Sequence, residues 1–149
     1  MKTFPIVFLL LPFSFFGQIP FSDITLDAGI DNIYDVYQGL FGGGVVAFDY
    51  NNDGNEDLFI TGGQGQDVLY MNNGDGTFKD VTKVSGLFKQ KMIVTTGVSS
   101  ADVNKDGFID LFVTTIASEV DKLKKKKTLA SNLLYINNGD GTFSDLSSK

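Results

Sequence analysis

Asp49-Tyr50-Asn51-Asn52-Asp53-Gly54-Asn55-Glu56-Asp57-Leu58 places oxygen-bearing side chains at its first, third, fifth and ninth positions and glycine at its sixth. A hard cation that must gather about six to eight oxygens from one tight turn requires this arrangement. Gly54 permits the turn, and Asn55, at the seventh position, offers its backbone carbonyl. The stretch therefore reads as a calcium loop with Asp49, Asn51, Asp53, Asn55 and Asp57 as ligands. It returns as Asp102-Val103-Asn104-Lys105-Asp106-Gly107-Phe108-Ile109-Asp110-Leu111. There the ligands would be Asp102, Asn104, Asp106, the backbone of Phe108, and Asp110. A single copy could be no more than a turn rich in Asp, Asn and Gly. Two copies in one chain argue for a repeat with two Ca²⁺ sites.

The residues around the loops set the fold class. A helical calcium hand needs a bidentate Glu at the twelfth position and a helix on either side, whereas Ile60 and Val113 stand at that position here. Gly44-Val45-Val46-Ala47-Phe48 leads in and Leu58-Phe59-Ile60-Thr61 leads out, both rich in residues that favour strands. Downstream, Asp67-Val68-Leu69-Tyr70-Met71-Asn72-Asn73-Gly74-Asp75-Gly76-Thr77-Phe78 reads as strand, tight turn, strand, because Asn-Gly and Asp-Gly supply the positive φ of hairpins. Residues 132–143 repeat it almost letter for letter, which makes Asp75 and Asp140 turn formers rather than ligands. Four short strands per unit describe a propeller blade. The expected fold is all-β, a partial propeller of two four-stranded antiparallel blades with calcium loops between first and second strands. Phe59 and Phe112, at matching repeat positions, are expected in the core.

A shorter motif punctuates the units. Phe21-Ser22-Asp23-Ile24-Thr25 recurs as Phe78-Lys79-Asp80-Val81-Thr82 and begins again at Phe143-Ser144-Asp145-Leu146-Ser147. The chain thus divides into a leading strand at 21–30, a first blade at 41–87 and a second, truncated blade at 95–149. The loops start 53 residues apart (Asp49 to Asp102) but the turns lie 65 apart (Asn73 to Asn138), so 12 extra residues, 118–129, enter the second unit. Their lysine run reads as a solvated loop. Two units are few for a ring of about 4–8 blades. The chain is accordingly expected to be part of a longer propeller or to self-associate through exposed blade edges.

Composition narrows the chemistry. With neither His nor Cys among 149 residues, histidine acid–base catalysis, cysteine nucleophiles, thiolate zinc sites and disulfides are excluded. A charge of −6 argues against nucleic acid and acidic membranes as partners. Sixteen of the 18 acidic residues are Asp, a bias suited to turns and ion loops, and six of them lie in the two loops. Met1-Lys2 followed by an apolar run to Phe16 resembles a secretory signal, residues 1–17, too short to span a membrane. Cleavage after Gly17 would leave 11 basic and 18 acidic residues, a charge of −7. The expected location is secreted, cell-surface or periplasmic.

Together these motifs resemble the FG-GAP/VCBS repeat family, whose blades build the calcium-bound propellers of integrin alpha subunits and many secreted bacterial proteins. Phe41-Gly42-Gly43-Gly44 is similar to the FG-GAP signature, which Thr96-Gly97-Val98-Ser99-Ser100 replaces in the second unit. The Phe-x-Asp-Val-Thr, Asp-loop, Leu-Tyr and Asn-Asn-Gly-Asp-Gly-Thr-Phe elements most resemble the secreted bacterial branch and cover residues 21–147. The resemblance implies a non-enzymatic, calcium-dependent module that binds or adheres to an extracellular protein or glycan. The alternatives are a part of a secreted polysaccharide-degrading enzyme and a non-functional gene fragment. Tyr34 and Tyr37 are the aromatic candidates for a binding face.

Overall fold

The computed structural model describes residues 20–36, 42–87, 93–117 and 131–147. Eight strands follow one another: β1 (Val45–Phe48), β2 (Asp57–Ile60), β3 (Val68–Asn72), β4 (Phe78–Asp80), β5 (Ile93–Ala101), β6 (Asp110–Ala117), β7 (Leu133–Asn137) and β8 (Phe143–Asp145). They form two four-stranded antiparallel sheets, each in chain order, β1-β2-β3-β4 and β5-β6-β7-β8. Among the described residues there is no helix, and so none long and apolar enough to cross a membrane. The Asp-rich stretches connect β1 to β2 and β5 to β6, and the Asn-Asn-Gly-Asp-Gly turns connect β3 to β4 and β7 to β8.

Register explains which residues make the core. Successive side chains of a strand point to opposite faces, and Val46 pairs with Phe59, which pairs in turn with Leu69. These three share one face of the first sheet. In the second sheet Val98 pairs with Val113 and Val113 with Leu133, while Leu111 pairs with Tyr135. The two faces pack on each other in one cluster that includes Phe59, Leu69, Leu111 and Val113, all at 0% exposure. Burying each such side chain is worth about 1.5–3 kcal/mol. Tyr50 stacks on Phe143 across the two sheets, with ring centroids 6.4 Å apart. At one edge the backbones themselves meet. A Cβ on Gly44 would lie 2.9 Å from the Cα of Gly97, which sits where a register irregularity interrupts β5 between Thr95 and Val98.

A buried polar tie reinforces the packing. The Asp67 carboxylate, at 1% exposure, accepts the Thr95 hydroxyl at 2.5 Å and the Gly62 amide at 2.8 Å. The residue before β3 is thereby fastened to β5.

Two expectations are corrected. Residues 21–30 contain no strand and carry a turn at 25–29, which Ala28 N–H closes in helix-like fashion by donating to the Ile24 carbonyl at 2.8 Å. Asp23 starts that turn by accepting the Thr25 amide and hydroxyl, as a short polar side chain does at a turn entrance. Phe112 is not a core residue. It is 42% exposed, while its repeat partner Phe59 is fully buried, because Phe112 lies on the face of the second sheet turned away from the first. The segment 1–17, Tyr37, Phe41 and the lysine-rich residues 118–129 lie outside the described residues.

Candidate functional site

Each Asp-rich loop is closed by its own side chains. Asp49 accepts the amides of Asp53 at 3.1 Å and Gly54 at 2.8 Å with its two oxygens, and Asn51 Oδ1 accepts the Asp53 amide at 3.1 Å. Asp53 in turn accepts the Asn55 amide at 2.8 Å, and Asn51 Nδ2 donates to its other oxygen at 2.9 Å. Position for position, Asp102 accepts the amides of Asp106 at 3.1 Å and Gly107 at 3.0 Å. Asn104 Oδ1 accepts the Asp106 amide at 3.0 Å and its Nδ2 donates to Asp106 at 2.7 Å, while Asp106 accepts the Phe108 amide at 2.9 Å. This matched network requires positive φ at the fourth and sixth positions: Asn52 at 58° and Lys105 at 64°, Gly54 at 88° and Gly107 at 90°. Glycine takes that conformation without steric cost and Asn tolerates it, so Lys105 is the strained member of the four.

The ninth-position carboxylates differ from the rest. Asp57 and Asp110 are buried, at 0% and 1% exposure. Asp57 accepts the Tyr50 amide at 3.0 Å and the Asn72 amide at 2.7 Å. Asp110 does the same with Val103 at 2.9 Å and Asn137 at 2.8 Å. Each therefore joins the start of its loop to the end of the third strand. Burial pushes the Asp57 carboxyl above its usual range; the two amide hydrogen bonds oppose this, and the charges of Asp53 and Asp49 add to it. The Asp53 carboxyl is held below its usual range, chiefly by the Asn55 amide and then by the Asn51 side chain. Tyr50 is pushed up by burial and by the charges of Asp57 and Asp53.

All ten sequence-predicted site residues thus sit within these two loops, in two equivalent sets. Among the described residues no three carboxylates converge closely enough to form a metal cluster by themselves. What each loop holds together, through the hydrogen bonds above, is a cluster of Asp and Asn side chains around the turn. At the seventh position Asn55 Nδ2 donates back to Asp53 Oδ1 at 2.9 Å, and both seventh-position side chains also reach the neighbouring turns. A Cβ on Gly74 would lie 3.4 Å from the Asn55 side chain, and one on Gly139 would strike the Phe108 ring at 2.6 Å. Asp75 and Asp140 are turn formers, accepting the amide of Thr77 or Thr142 at 3.0 Å. Tyr34 is tied by its hydroxyl to the Gly42 carbonyl at 3.0 Å.

Sequence reasoning passed over the residues that support the loops from behind. Asn72 Nδ2 donates to the Glu56 carbonyl at 3.0 Å, and its Oδ1 accepts the Gly74 amide at 2.9 Å. Asn137, fully buried, donates to the Tyr50 carbonyl at 2.7 Å and to the Ile109 carbonyl at 3.2 Å, and accepts the Gly139 amide at 3.0 Å. It therefore holds both loops at once. Asn52 Nδ2 adds a second link, to the Gly107 carbonyl at 3.3 Å. The available signal was the first Asn of each Asn-Asn-Gly-Asp-Gly run, which a hairpin turn alone does not require.

Residues 49–113, from the first loop through the second, match the FG-GAP-like repeat model. The chain is also similar to cartilage acidic protein 1 of Xenopus tropicalis, at 32% identity over 95 residues. That alignment covers 64% of this chain, which spans only 14% of the relative's length. With the duplicated loop-and-hairpin architecture, this match identifies residues 49–113 as an FG-GAP-like repeat region.

Proposed function

We propose that this chain is a calcium-binding repeat module of a secreted or cell-surface protein, that its two sheets are neighbouring blades of a β-propeller, and that it binds protein or glycan partners rather than catalysing a reaction. The observation that carries this reading is the matched pair of loops at Asp49–Asp57 and Asp102–Asp110, in which equivalent Asp and Asn side chains accept equivalent backbone amides. Calcium would be held by Asp49, Asn51, Asp53, the Asn55 backbone and Asp57 in one loop. In the other, the ligands would be Asp102, Asn104, Asp106, the Phe108 backbone and Asp110. The ion would supply charge neutralisation: two unit charges ~4 Å apart interact by about 4 kcal/mol at an effective dielectric near 20. A buried Asp57 beside the charges of Asp53 and Asp49 fits that role.

The blade reading is supported by two meandering four-stranded sheets packed face to face, an arrangement that radial repetition turns into a ring. The binding reading is supported by the FG-GAP-like repeat match over residues 49–113 and by a sequence with neither His nor Cys. Secretion is supported by the apolar segment after Lys2. Calorimetric titration of the full chain with calcium tests the reading. Two sites are expected, with Kd on the order of 0.1–1 mM as in extracellular modules. Asp53→Ala should remove one and Asp53→Ala with Asp106→Ala both. No binding heat and no calcium-dependent shift in unfolding temperature would overturn it.

A further inference from the structure

Among the described residues, one face of the second sheet is covered by the first sheet and the other by no strand, and the covered face shows what the open one would accept. Phe112, Leu134 and Ile136 share the open face by register, since Phe112 pairs with Leu134 and residue 136 lies two further along β7. Their counterparts in the first sheet, Phe59, Leu69 and Met71, are covered by the second sheet. Phe112 is 42% exposed where Phe59 is 0%. Phe21 is 97% exposed and Ile24 57%, whereas Phe143 and Val81 at matching repeat positions are buried, at 7% and 5%, and Phe78 and Leu146 are half-buried. Phe21-Ser22-Asp23 and β8, Phe143-Ser144-Asp145, are the same tripeptide.

The joints are also alike. The turn at 25–29 presents the Ala28 carbonyl to the Phe78 amide at 2.7 Å, and the turn at 82–86 presents the Ser85 carbonyl to the Phe143 amide at 2.8 Å. Segment 21–30 thus meets the first sheet as segment 78–87 meets the second. Followed backward, this geometry makes Phe21-Ser22-Asp23 the last strand of a preceding sheet.

We infer that a second copy of this chain docks head to tail on the open face of the second sheet, its first sheet covering Phe112, Leu134 and Ile136. Its Phe21-Ser22-Asp23 takes the place of Phe143-Ser144-Asp145 beside β7. The ladder of Asn137, Ile136 and Tyr135 with Phe143, Ser144 and Asp145 is then rebuilt by identical residues, so the exchange costs little. Phe21 of the incoming copy replaces Phe143 against Tyr50. The gain is burial of apolar surface open in the single chain. Such a contact is heterologous, closing into a ring or extending into a filament.

Light scattering and sedimentation on the full 16.2 kDa chain, in calcium-containing buffer, test this. With two sheets per copy and rings of about 4–8 blades, assemblies of two to four copies are expected. Phe112→Asp spoils the accepting face and Phe21→Asp the donated strand, and both positions are exposed enough to leave the fold intact. Each variant alone should be monomeric, while an equimolar mixture should form a heterodimer and nothing larger. That complementation is not a property of non-specific association. A wild-type monomer at ~1 mM, where even a Kd of that size would give substantial dimer, would overturn the inference. So would an oligomer that Phe112→Asp leaves unchanged.

Discussion

Replacing Asn137 by alanine should unlock both loops from the sheets behind them, and the structure gives the size of the effect. The side chain makes three hydrogen bonds at 0% exposure, two donated to the carbonyls of Tyr50 and Ile109 and one accepted from Gly139. Each is worth about 1 kcal/mol net, and a buried group left unpaired costs about 1–3 kcal/mol. Tyr50 itself is 6% exposed, so water cannot readily replace the lost donor. The sum is a destabilisation of ~3–5 kcal/mol. Asn72 occupies the matching position but makes its side-chain bonds to Glu56 and Gly74, which are exposed. Water can take over there, so Asn72→Ala should cost only about 1–2 kcal/mol. Urea unfolding of the two variants, at a slope of about 1–3 kcal/mol per molar, should separate their midpoints by roughly 1 M. Equal midpoints, or a larger loss for Asn72→Ala, would refute the view that Asn137 ties the two loops together.

Phe59→Ala should cost about 3–5 kcal/mol as a large core truncation, whereas Phe112→Ala should cost less than about 1.5 kcal/mol because its side chain is already part-exposed; thermal unfolding of the pair checks this. Removing calcium with chelator should lower stability by about 2.7 kcal/mol per site relative to calcium at 100 times Kd, an effect absent from the double variant Asp53→Ala with Asp106→Ala. The Asp75 and Asp140 carboxyls are held below the usual range, first by the hydroxyl and then by the amide of Thr77 and Thr142. Their contribution to stability is therefore present above the unfolded value of 3.8 and lost as pH falls through the folded one. Asp75→Asn with Asp140→Asn should flatten the acid limb of the stability curve, and an unchanged limb would contradict the assignment. Gly139→Ala should destabilise the second turn, since φ is +75° and the new methyl would strike the Phe108 ring at 2.6 Å; hydrogen exchange of residues 137–143 reads this directly.

Repetition made most of the architecture legible. The loop at 49–58 and its copy at 102–111 located the hairpins, and the doubled Asn-Asn-Gly-Asp-Gly turns located the others. Three features escaped for physical reasons. Residues 21–30 read as a leading strand because Phe21-Ser22-Asp23-Ile24-Thr25 recurs at Phe78 and Phe143, but Asp23 caps a turn locally and, among the described residues, no neighbouring strand competes for its backbone. Phe112 read as core because it matches Phe59 letter for letter, yet burial depends on what packs against a face, and that lies outside the local sequence. Asn72 and Asn137 read as turn residues because their long-range acceptors, Glu56 in one case and Tyr50 in the other, are set by sheet pairing and sheet packing. Pattern thus identified the hairpins, while tertiary contact decided which of two equivalent residues carries weight.

The meeting of Gly44 with Gly97 has a mechanical consequence. Sheets filled by side chains such as Phe59 and Leu111 stand about 10 Å apart, but at this edge the backbones touch, with a Cβ on Gly44 falling 2.9 Å from Gly97 Cα. The pair is a wedge whose thin end is fixed by the methyl group that Gly44 lacks. Stacked wedges curve, and their taper sets the radius of the curve, so a methyl shim at Gly44 would widen the thin end and straighten any stack built from such sheets.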